Sequence, residues 1–234
     1  MRAVFRRELR AFFLSPLGYV FVGAVFACSG YYFFVGNLQK GTTDMTNLFA
    51  SLFTVVLFLV PVLTMRLMSE DRHLRTDQIL FTVPISRNGI VLGKYLAALV
   101  VYTAAISGTL VDAVVMSTFA TPAWSTILGN YIGLLLLGMA LIAICMFLSS
   151  FTESQFIAAV SGVGVSVLLT LIEPLTLWIT NPTVQFLCKA ISFNRRYLPF
   201  AMGILELSNT IFFLSVTALF LGLTMAVLEK RRWS

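Results

Sequence analysis

The sequence predicts an all-α membrane protein with six transmembrane helices, and its composition and the spacing of its apolar stretches lead to that fold class. The 234 residues are 59% hydrophobic and 11% charged, with a mean hydropathy of +0.93. A soluble domain is about 45–50% apolar and about 25% charged. At about 20 residues per span, six spans and their loops use up the length. We therefore expect a single membrane domain over residues 1–234.

Six apolar stretches are long enough to span a bilayer. The expected spans are 17–35, 48–64, 92–116, 127–148, 156–178 and 209–228. Small residues recur at spacing four at Ala158, Gly162 and Ser166, and Gly129 and Gly133 form a GxxxG pair. Such residues let helix backbones approach closely in lipid, so these positions predict contacts between helices.

Residues 1–14 predict an amphipathic helix at the membrane surface. Arg2, Arg6 and Arg10 are spaced by four, and Phe5 and Leu9 lie on the other side. Basic residues opposite an apolar face are typical of interfacial helices near anionic headgroups. A signal peptide also starts with basic residues, but it ends in a small-residue cleavage site. The apolar stretch here continues without one, which favours a retained interfacial helix.

The polar segment 66–91 separates the second and third expected spans. Its charges cannot lie in hydrocarbon, because each would cost several kcal/mol there. We expect a helix within it that ends before Pro84, since the residue before proline is pushed out of the helical region. An ordinary connecting loop is the general interpretation of such a segment. A connector has no need of three consecutive apolar side chains, however, and a partner protein would cover Ile79, Leu80 and Phe81.

The distribution of basic residues predicts the orientation. With the N-terminus inside, twelve of the sixteen Lys and Arg residues lie on the cytoplasmic side. The outside then holds Lys40, Lys189, Arg195 and Arg196. Because cytoplasmic loops carry an excess of Lys and Arg, we expect both termini and segment 66–91 to be cytoplasmic, and segment 179–208 to be extracellular.

Two carboxylates fall inside apolar spans, Asp112 and Glu173. Ionisable residues within spans are functional by default. At 1.5 Å per residue, both lie about 26–30 Å from the cytoplasmic start of their spans, which places them near the outer surface. A solvated outer vestibule and a role in substrate binding or gating remain equally open for this pair.

No catalytic or nucleotide site is expected within the chain. His73 is the single histidine, so a His-based metal cluster cannot form. Gly89 and Gly93 precede Lys94 and Tyr95, but a phosphate loop needs four residues between the glycines and Ser or Thr after the lysine. Lys94 is instead expected at the inner headgroup boundary. The formal charge of +6 follows the topology and does not indicate nucleic-acid binding.

Several positions resemble permeases of the ABC-2 type. Those in the first half are Arg66, Glu70, Asp71, Thr76, Leu80, Pro84, Ile85, Gly93 and Lys94. The turn Phe151–Gln155 is also similar to the family. Positions before the last span resemble the branch that includes gliding-motility-associated permeases: Phe200, Gly203, Leu205, Glu206, Leu207, Asn209, Phe213 and Ser215. Arg75 stands where the family usually has glycine, and Asn209 where this branch usually has aspartate.

The resemblance implies roles for particular segments. Segment 66–91 would be a cytoplasmic coupling loop whose helix seats in a groove of an ATPase subunit. Its coupling residues would be Glu70, Asp71, Thr76, Asp77, Ile79, Leu80, Phe81 and Pro84. An interfacial helix precedes the first span in the family, and segment 179–208 would form extracellular re-entrant helices. The gate or pathway candidates are Asp112, Glu173, Phe200, Gly203 and Glu206.

The function implied by the resemblance is that of the permease subunit of an ATP-binding cassette exporter in the bacterial inner membrane. ATP and Mg would bind to two partner ATPase subunits, and a second permease, identical or homologous, would complete the pathway. An accessory extracytoplasmic subunit and membrane lipids are further expected partners. An ion-coupled carrier that uses Asp112 and Glu173, and a non-transporting assembly subunit, remain as alternatives.

Overall fold

The computed structural model describes residues 1–73, 87–119, 121–176 and 181–232. Over these ranges the chain is helical apart from short turns and contains no strand. Six helices in the described part are long and apolar enough to cross a membrane. They are Pro16–Leu38, Thr46–His73, Asn88–Ser117, Trp124–Ser149, Gln155–Leu175 and Leu207–Lys230. The predicted fold class is thereby confirmed.

Several of these spans consist of two helical segments. The described α-helices, in chain order, are α1 Arg2–Leu14, α2 Pro16–Phe33, α3 Thr46–Thr64, α4 Arg66–His73, α5 Arg87–Ile106, α6 Gly108–Ser117, α7 Trp124–Ser149, α8 Gln155–Leu175, α9 Pro182–Ile191, α10 Phe193–Ala201 and α11 Leu207–Arg232. A π-helical turn, Phe34–Leu38, extends α2. The spans alternate in direction, so both termini lie at one end of the bundle, the terminal end. Helices α9 and α10 lie at the other, the distal end.

The hinge between α1 and α2 is set by Pro16. Ser15 is extended, with φ −92° and ψ 152°, because the residue before proline is disfavoured in the helical region. Proline is in turn well suited to the first position of α2. A Cβ at Gly18 would lie 2.5 Å from the carbonyl oxygen of Phe12. Glycine at this position therefore lets α2 begin in direct contact with α1.

The second span is divided at Met65, where α3 passes into α4. Pro61 lies inside α3 and removes one backbone hydrogen bond from the helix. After Pro61, Ser149 at the end of α7 is hydrogen-bonded to the start of α4. Its Oγ accepts hydrogen bonds from the backbone N–H groups of Met68 and Ser69 at 3.3 and 3.1 Å. The same Oγ donates to the Met65 carbonyl at 3.0 Å. The side chain of Ser149 thus fixes the start of α4 to the end of α7.

The third span is also divided, between α5 and α6. The Oγ of Ser107 donates to the Ala104 carbonyl at 2.6 Å, and Gly108 follows directly. Adjacent serine and glycine are a common cause of helix bends. A Cβ at Gly108 would lie 3.2 Å from the ring of Phe26 in α2, so the break lies where the third span packs against the first. The sequence predicted one uninterrupted helix over 92–116.

Helix α7 is the centre of the bundle. Of its most apolar 18 residues, 72% are buried, against 17% for the fifth and sixth spans, and it contacts α3, α5, α8, α10 and α11. Tyr102 of α5 is fully buried against it, and the Tyr102 hydroxyl donates to the Leu134 carbonyl at 2.6 Å. A Cβ at Gly138 would lie 2.1 Å from the Tyr102 ring. The buried tyrosine therefore requires glycine at position 138.

The GxxxG pair of α7 contacts the segment around α10. A Cβ at Gly133 would lie 2.6 Å from the Phe200 side chain, and a Cβ at Gly129 would lie 2.9 Å from the Cα of Gly203. Asn130, between them, donates from Nδ2 to the Ala201 carbonyl at 3.0 Å. Gly203 has φ +78°, a conformation that glycine adopts without steric penalty. The pair thus lets a short distal helix pack directly onto the central span.

The contact between Gly138 and Tyr102 can be tested by one methyl group. The added methyl carbon of Gly138→Ala would overlap the Tyr102 ring, 2.1 Å from its nearest atom. Because overpacking a well-filled core costs about 1–3 kcal/mol, we expect a clearly lower Tm of the purified chain in detergent. Gly164→Ala is the matched control, since nothing lies within 4 Å of a Cβ at that position. Equal thermal stability of the two variants would contradict the packing described.

Candidate functional site

Helix α1 lies along the terminal end with one face on the bundle. Val4 and Phe12 are buried, and Phe5 and Leu9 are partly buried against the core. The predicted basic positions, Arg2, Arg6 and Arg10, are all exposed. A Cβ at Gly93 of α5 would lie 3.1 Å from Val4, so this glycine allows α5 to approach α1 closely. The residue after it, Lys94, is consequently directed into the protein.

Lys94 is the centre of a group of four charged residues, which we call the basal charge cluster: Arg7, Glu8, Asp71 and Lys94. The Lys94 side chain is 2% exposed. Its Nζ lies 2.7 Å from Asp71 Oδ2, 3.2 Å from Glu8 Oε1 and 2.6 Å from the Leu67 carbonyl oxygen. A buried ammonium is tolerated when it is paired and hydrogen-bonded, and here three acceptors satisfy its three N–H groups.

Arg7 completes the electrostatic balance of the cluster. Its Nη2 lies 2.6 Å from Glu8 Oε1 and 3.3 Å from Asp71 Oδ2. Arg7 and Glu8 belong to α1, Asp71 to α4 and Lys94 to α5. Two cations thus face two carboxylates across three helices. The cluster fastens α1 to α4 and α5, the helices that flank residues 74–86.

Further ion pairs hold α4 on each flank. Arg66 forms two hydrogen bonds with Glu70, at 2.7 and 2.9 Å, and one with Ser15 Oγ at 2.8 Å, at the hinge between α1 and α2. Arg72 donates to the Phe151 carbonyl at 2.6 Å and lies 3.2 Å from Glu153. Helix α4 is therefore bound to the α1–α2 hinge on one side and to the α7–α8 turn on the other.

The predicted coupling residues divide into two groups. Glu70 and Asp71 lie in α4 and take part in the ion pairs just described. Residues 74–86 lie outside the described residues, and with them the positions of Thr76, Asp77, Ile79, Leu80, Phe81 and Pro84. The basal charge cluster thus involves both helices that flank this part of the predicted coupling loop.

The predicted gate residues lie toward the distal end, and Asp112 and Glu173 do not share a site. Asp112 of α6 accepts a hydrogen bond from Ser29 of α2, whereas Glu173 of α8 accepts one from Asn194 of α10. These two carboxylates therefore bind different elements. Phe200 is fully buried, where its ring lies 6.4 Å from that of Phe213, and its role is to pack α10 against the last span.

Glu206 belongs to a polar chain at the start of α11. Its Oε2 accepts from Asn209 Nδ2 at 2.7 Å, and Asn209 Oδ1 accepts from Arg196 at 3.1 Å. The Arg196 guanidinium also lies 5.2 Å from the centre of the Phe212 ring. Asn209, where the resembling branch usually has aspartate, connects a cation with a carboxylate through its amide.

Comparison with known families decides the identity of the chain. The family model for ABC-2 family transporter proteins matches residues 5–233. The chain belongs to the ABC-2 transporter family. No curated protein matches the chain.

Membership of the ABC-2 family assigns the chain as a membrane subunit of an ABC transporter. The family works with ATPase partner subunits. Among the described residues of this permease, no three His, Cys, Asp or Glu side chains are grouped as metal ligands would be.

The sequence did not reveal the basal charge cluster of this permease. Lys94 was expected at the inner headgroup boundary, and its burial within the protein was not expected. No ion pair was predicted for Arg7 or Glu8, because the amphipathic pattern of α1 was defined by its exposed residues Arg2, Arg6 and Arg10. One signal was available: Lys94 is a cation just inside an apolar span, and such a residue is commonly paired. Nothing in the sequence spacing indicates that its partners are Glu8 and Asp71.

The cluster makes a prediction about folding stability. Lys94→Met removes the buried cation of the cluster and leaves only the exposed Arg7 to balance both Glu8 and Asp71. Breaking a buried ion pair in this way typically costs about 3–5 kcal/mol. We expect a large decrease in the Tm of the purified permease. Adding Glu8→Gln should restore part of the loss, because one of the two facing carboxylates is then neutral.

Lys40→Met provides the control, since Lys40 is exposed in the loop after the first span. Surface charges contribute about 0–1 kcal/mol, so little change is expected. A Tm for Lys94→Met as high as that of Lys40→Met would contradict the assignment of Lys94 as a buried, paired cation.

Proposed function

We propose that the chain is the permease subunit of an ABC exporter in the bacterial cytoplasmic membrane, with both termini in the cytoplasm. Two such membrane domains would form the pathway, and two ATPase subunits that bind ATP and Mg would drive it. One observation carries the proposal: the basal charge cluster binds α1 to both helices that flank residues 74–86. Export and the gliding-motility-associated branch are proposed from sequence resemblance alone.

The cluster provides a physical route for coupling. A force on segment 74–86 acts first on α4 and α5, and the Lys94 ion pairs with Asp71 and Glu8 make these helices move together with α1. Separating them would leave a buried charge without a partner. The junction at Met65 is where α4 would change its angle to α3, while Ser149 holds the junction on α7. Rigid movement about a hinge of this kind is one of the known forms of switching between states.

A second membrane domain has a suitable surface on the least buried helices. The fifth and sixth spans each have 17% of their most apolar residues buried within the chain. The small residues Ala158, Gly162 and Ser166 of α8 are not part of that surface. Ala158 and Ser166 are buried, and a Cβ at Gly162 would lie 2.8 Å from Pro61 and 3.4 Å from Cys145 Sγ. The open apolar faces of α8 and α11 therefore remain available for a second permease and for lipid.

Docking of the ATPase on the coupling loop has a direct test. Leu80→Asp places a charge in the apolar edge expected to seat in the ATPase, so we expect recovery of the ATPase with the purified permease to fall at least about tenfold. Leu205→Asp is the matched control: Leu205 is 57% exposed and lies at the distal end, where no ATPase is expected. Unchanged recovery with Leu80→Asp, or equal loss with both variants, would contradict the docking site.

The orientation can be tested with a native cysteine. Cys188 of α9 is partly exposed at the distal end, whereas Cys145 is buried. With the distal end outside, a membrane-impermeant maleimide should label Cys188 in intact cells, and Cys188→Ser should remove that label. Labelling of Cys188 that requires permeabilised cells would place the termini outside and overturn the proposed topology.

A further inference from the structure

Three cations of α9 and α10, at the distal end, are left unmatched by the ion pairs of the described residues. All ion pairs described above lie at the terminal end, and Lys189, Arg195 and Arg196 form none with a described carboxylate. The neighbouring residues 177–180, outside the described part, are Leu, Trp, Ile and Thr and contribute no carboxylate. A cluster of three positive side chains without acidic partners favours binding of an anion.

Two adjacent cavities open beside these cations. One, of about 480 Å³, has Lys189, Arg195 and Arg196 on its wall together with Glu206. The other, of about 610 Å³, has Lys189 and Arg195 on its wall together with Glu173. Lys189 and Arg195 are thus shared by both cavities, and each cavity is large enough to admit a ligand headgroup.

The two glutamates reduce the positive charge of the cavities without cancelling it. Glu173 accepts a hydrogen bond from Asn194, and Glu206 accepts one from Asn209. The donors to these carboxylates are therefore amide groups and not the three cations. Three cations against two carboxylates leave a formal charge of +1. Arg196 is held by Asn209 and by the Phe212 ring, whereas the side chains of Lys189 and Arg195 remain available to a ligand.

We propose that Lys189 and Arg195 form a binding site for a phosphate group, with Arg196 at its edge. Guanidinium groups bind phosphate through two parallel hydrogen bonds, and ammonium groups bind it as a point charge. The inference goes beyond the proposed transport function, because it requires neither the ATPase subunits nor a direction of transport.

The surroundings of the cavities favour a lipid as the source of the phosphate. Leu198 lies on the wall of the larger cavity, and it is 51% exposed. Leu171 and Leu175, in the last turns of the fifth span, are 46% and 52% exposed. The cations therefore lie where a span ends, with apolar side chains beside them, as at a bilayer surface where basic residues meet headgroups.

The experiment measures binding of phosphatidylglycerol to the purified full chain in neutral detergent, by native mass spectrometry. Arg195→Gln should weaken binding about tenfold, and so should Lys189→Gln, because basic groups near anionic lipid contribute strongly to affinity. Arg195 is exposed, so its replacement should leave the fold intact. Lys40→Gln, which removes one charge from the same end of the bundle, should bind as the unmodified chain does.

Two further ligands distinguish the source of the phosphate. Diacylglycerol, which has the acyl chains without the phosphate, should not bind to the site. Inorganic phosphate that binds more weakly than the lipid supports a headgroup site, and inorganic phosphate that binds as well as the lipid supports a site for a soluble phosphate compound. Equal binding of phosphatidylglycerol by Arg195→Gln, Lys189→Gln and the unmodified chain would overturn the proposal, as would equal losses in Arg195→Gln and Lys40→Gln.

Discussion

The arrangement at the terminal end depends on the need to keep one buried ammonium paired. Lys94, 2% exposed, cannot remain charged inside the protein unless carboxylates lie beside it. Those carboxylates come from α1 and α4, so satisfying one side chain requires three helices to meet at one point. The close approach of α5 to α1 at Gly93 makes this meeting sterically possible. Helix α1 is thereby fixed to the bundle.

The centre of the bundle follows a second constraint, that of close backbone approach. Gly129, Gly133 and Gly138 lie on one helix, and each meets a bulky or rigid neighbour at a distance that a side chain would not allow. In lipid the attraction between helices depends on such packing, because lipid tails are as apolar as the helices themselves. Two of these glycines contact the short helix α10 and the turn after it. Helix α7 therefore contacts α10 near one of its ends, and at its other end Ser149 is hydrogen-bonded to the start of α4.

The sequence was sufficient to predict the fold class, because composition and the length of apolar stretches report directly on burial in lipid. It could not predict the break at Ser107, because the residues of an apolar stretch do not indicate whether its helix is continuous or divided. The GxxxG pair correctly indicated close packing, but its spacing did not reveal its partners, which are Phe200 of the short helix α10 and the turn at Gly203. The basal charge cluster was missed for a related reason: pairing between Glu8, Asp71 and Lys94 depends on how three helices cross, which no local spacing records.

The two ends of the molecule differ in how their charges are satisfied. At the terminal end, cations and carboxylates pair across helices, and the same pairs that balance charge also fasten α1, α4 and α5 to one another. At the distal end, Glu173 and Glu206 accept hydrogen bonds from side-chain amides. Lys189 and Arg195 line open cavities there. Paired charges resist separation, whereas unpaired ones attract mobile ligands. Within one chain the terminal end is thus suited to mechanical coupling and the distal end to contact with anions.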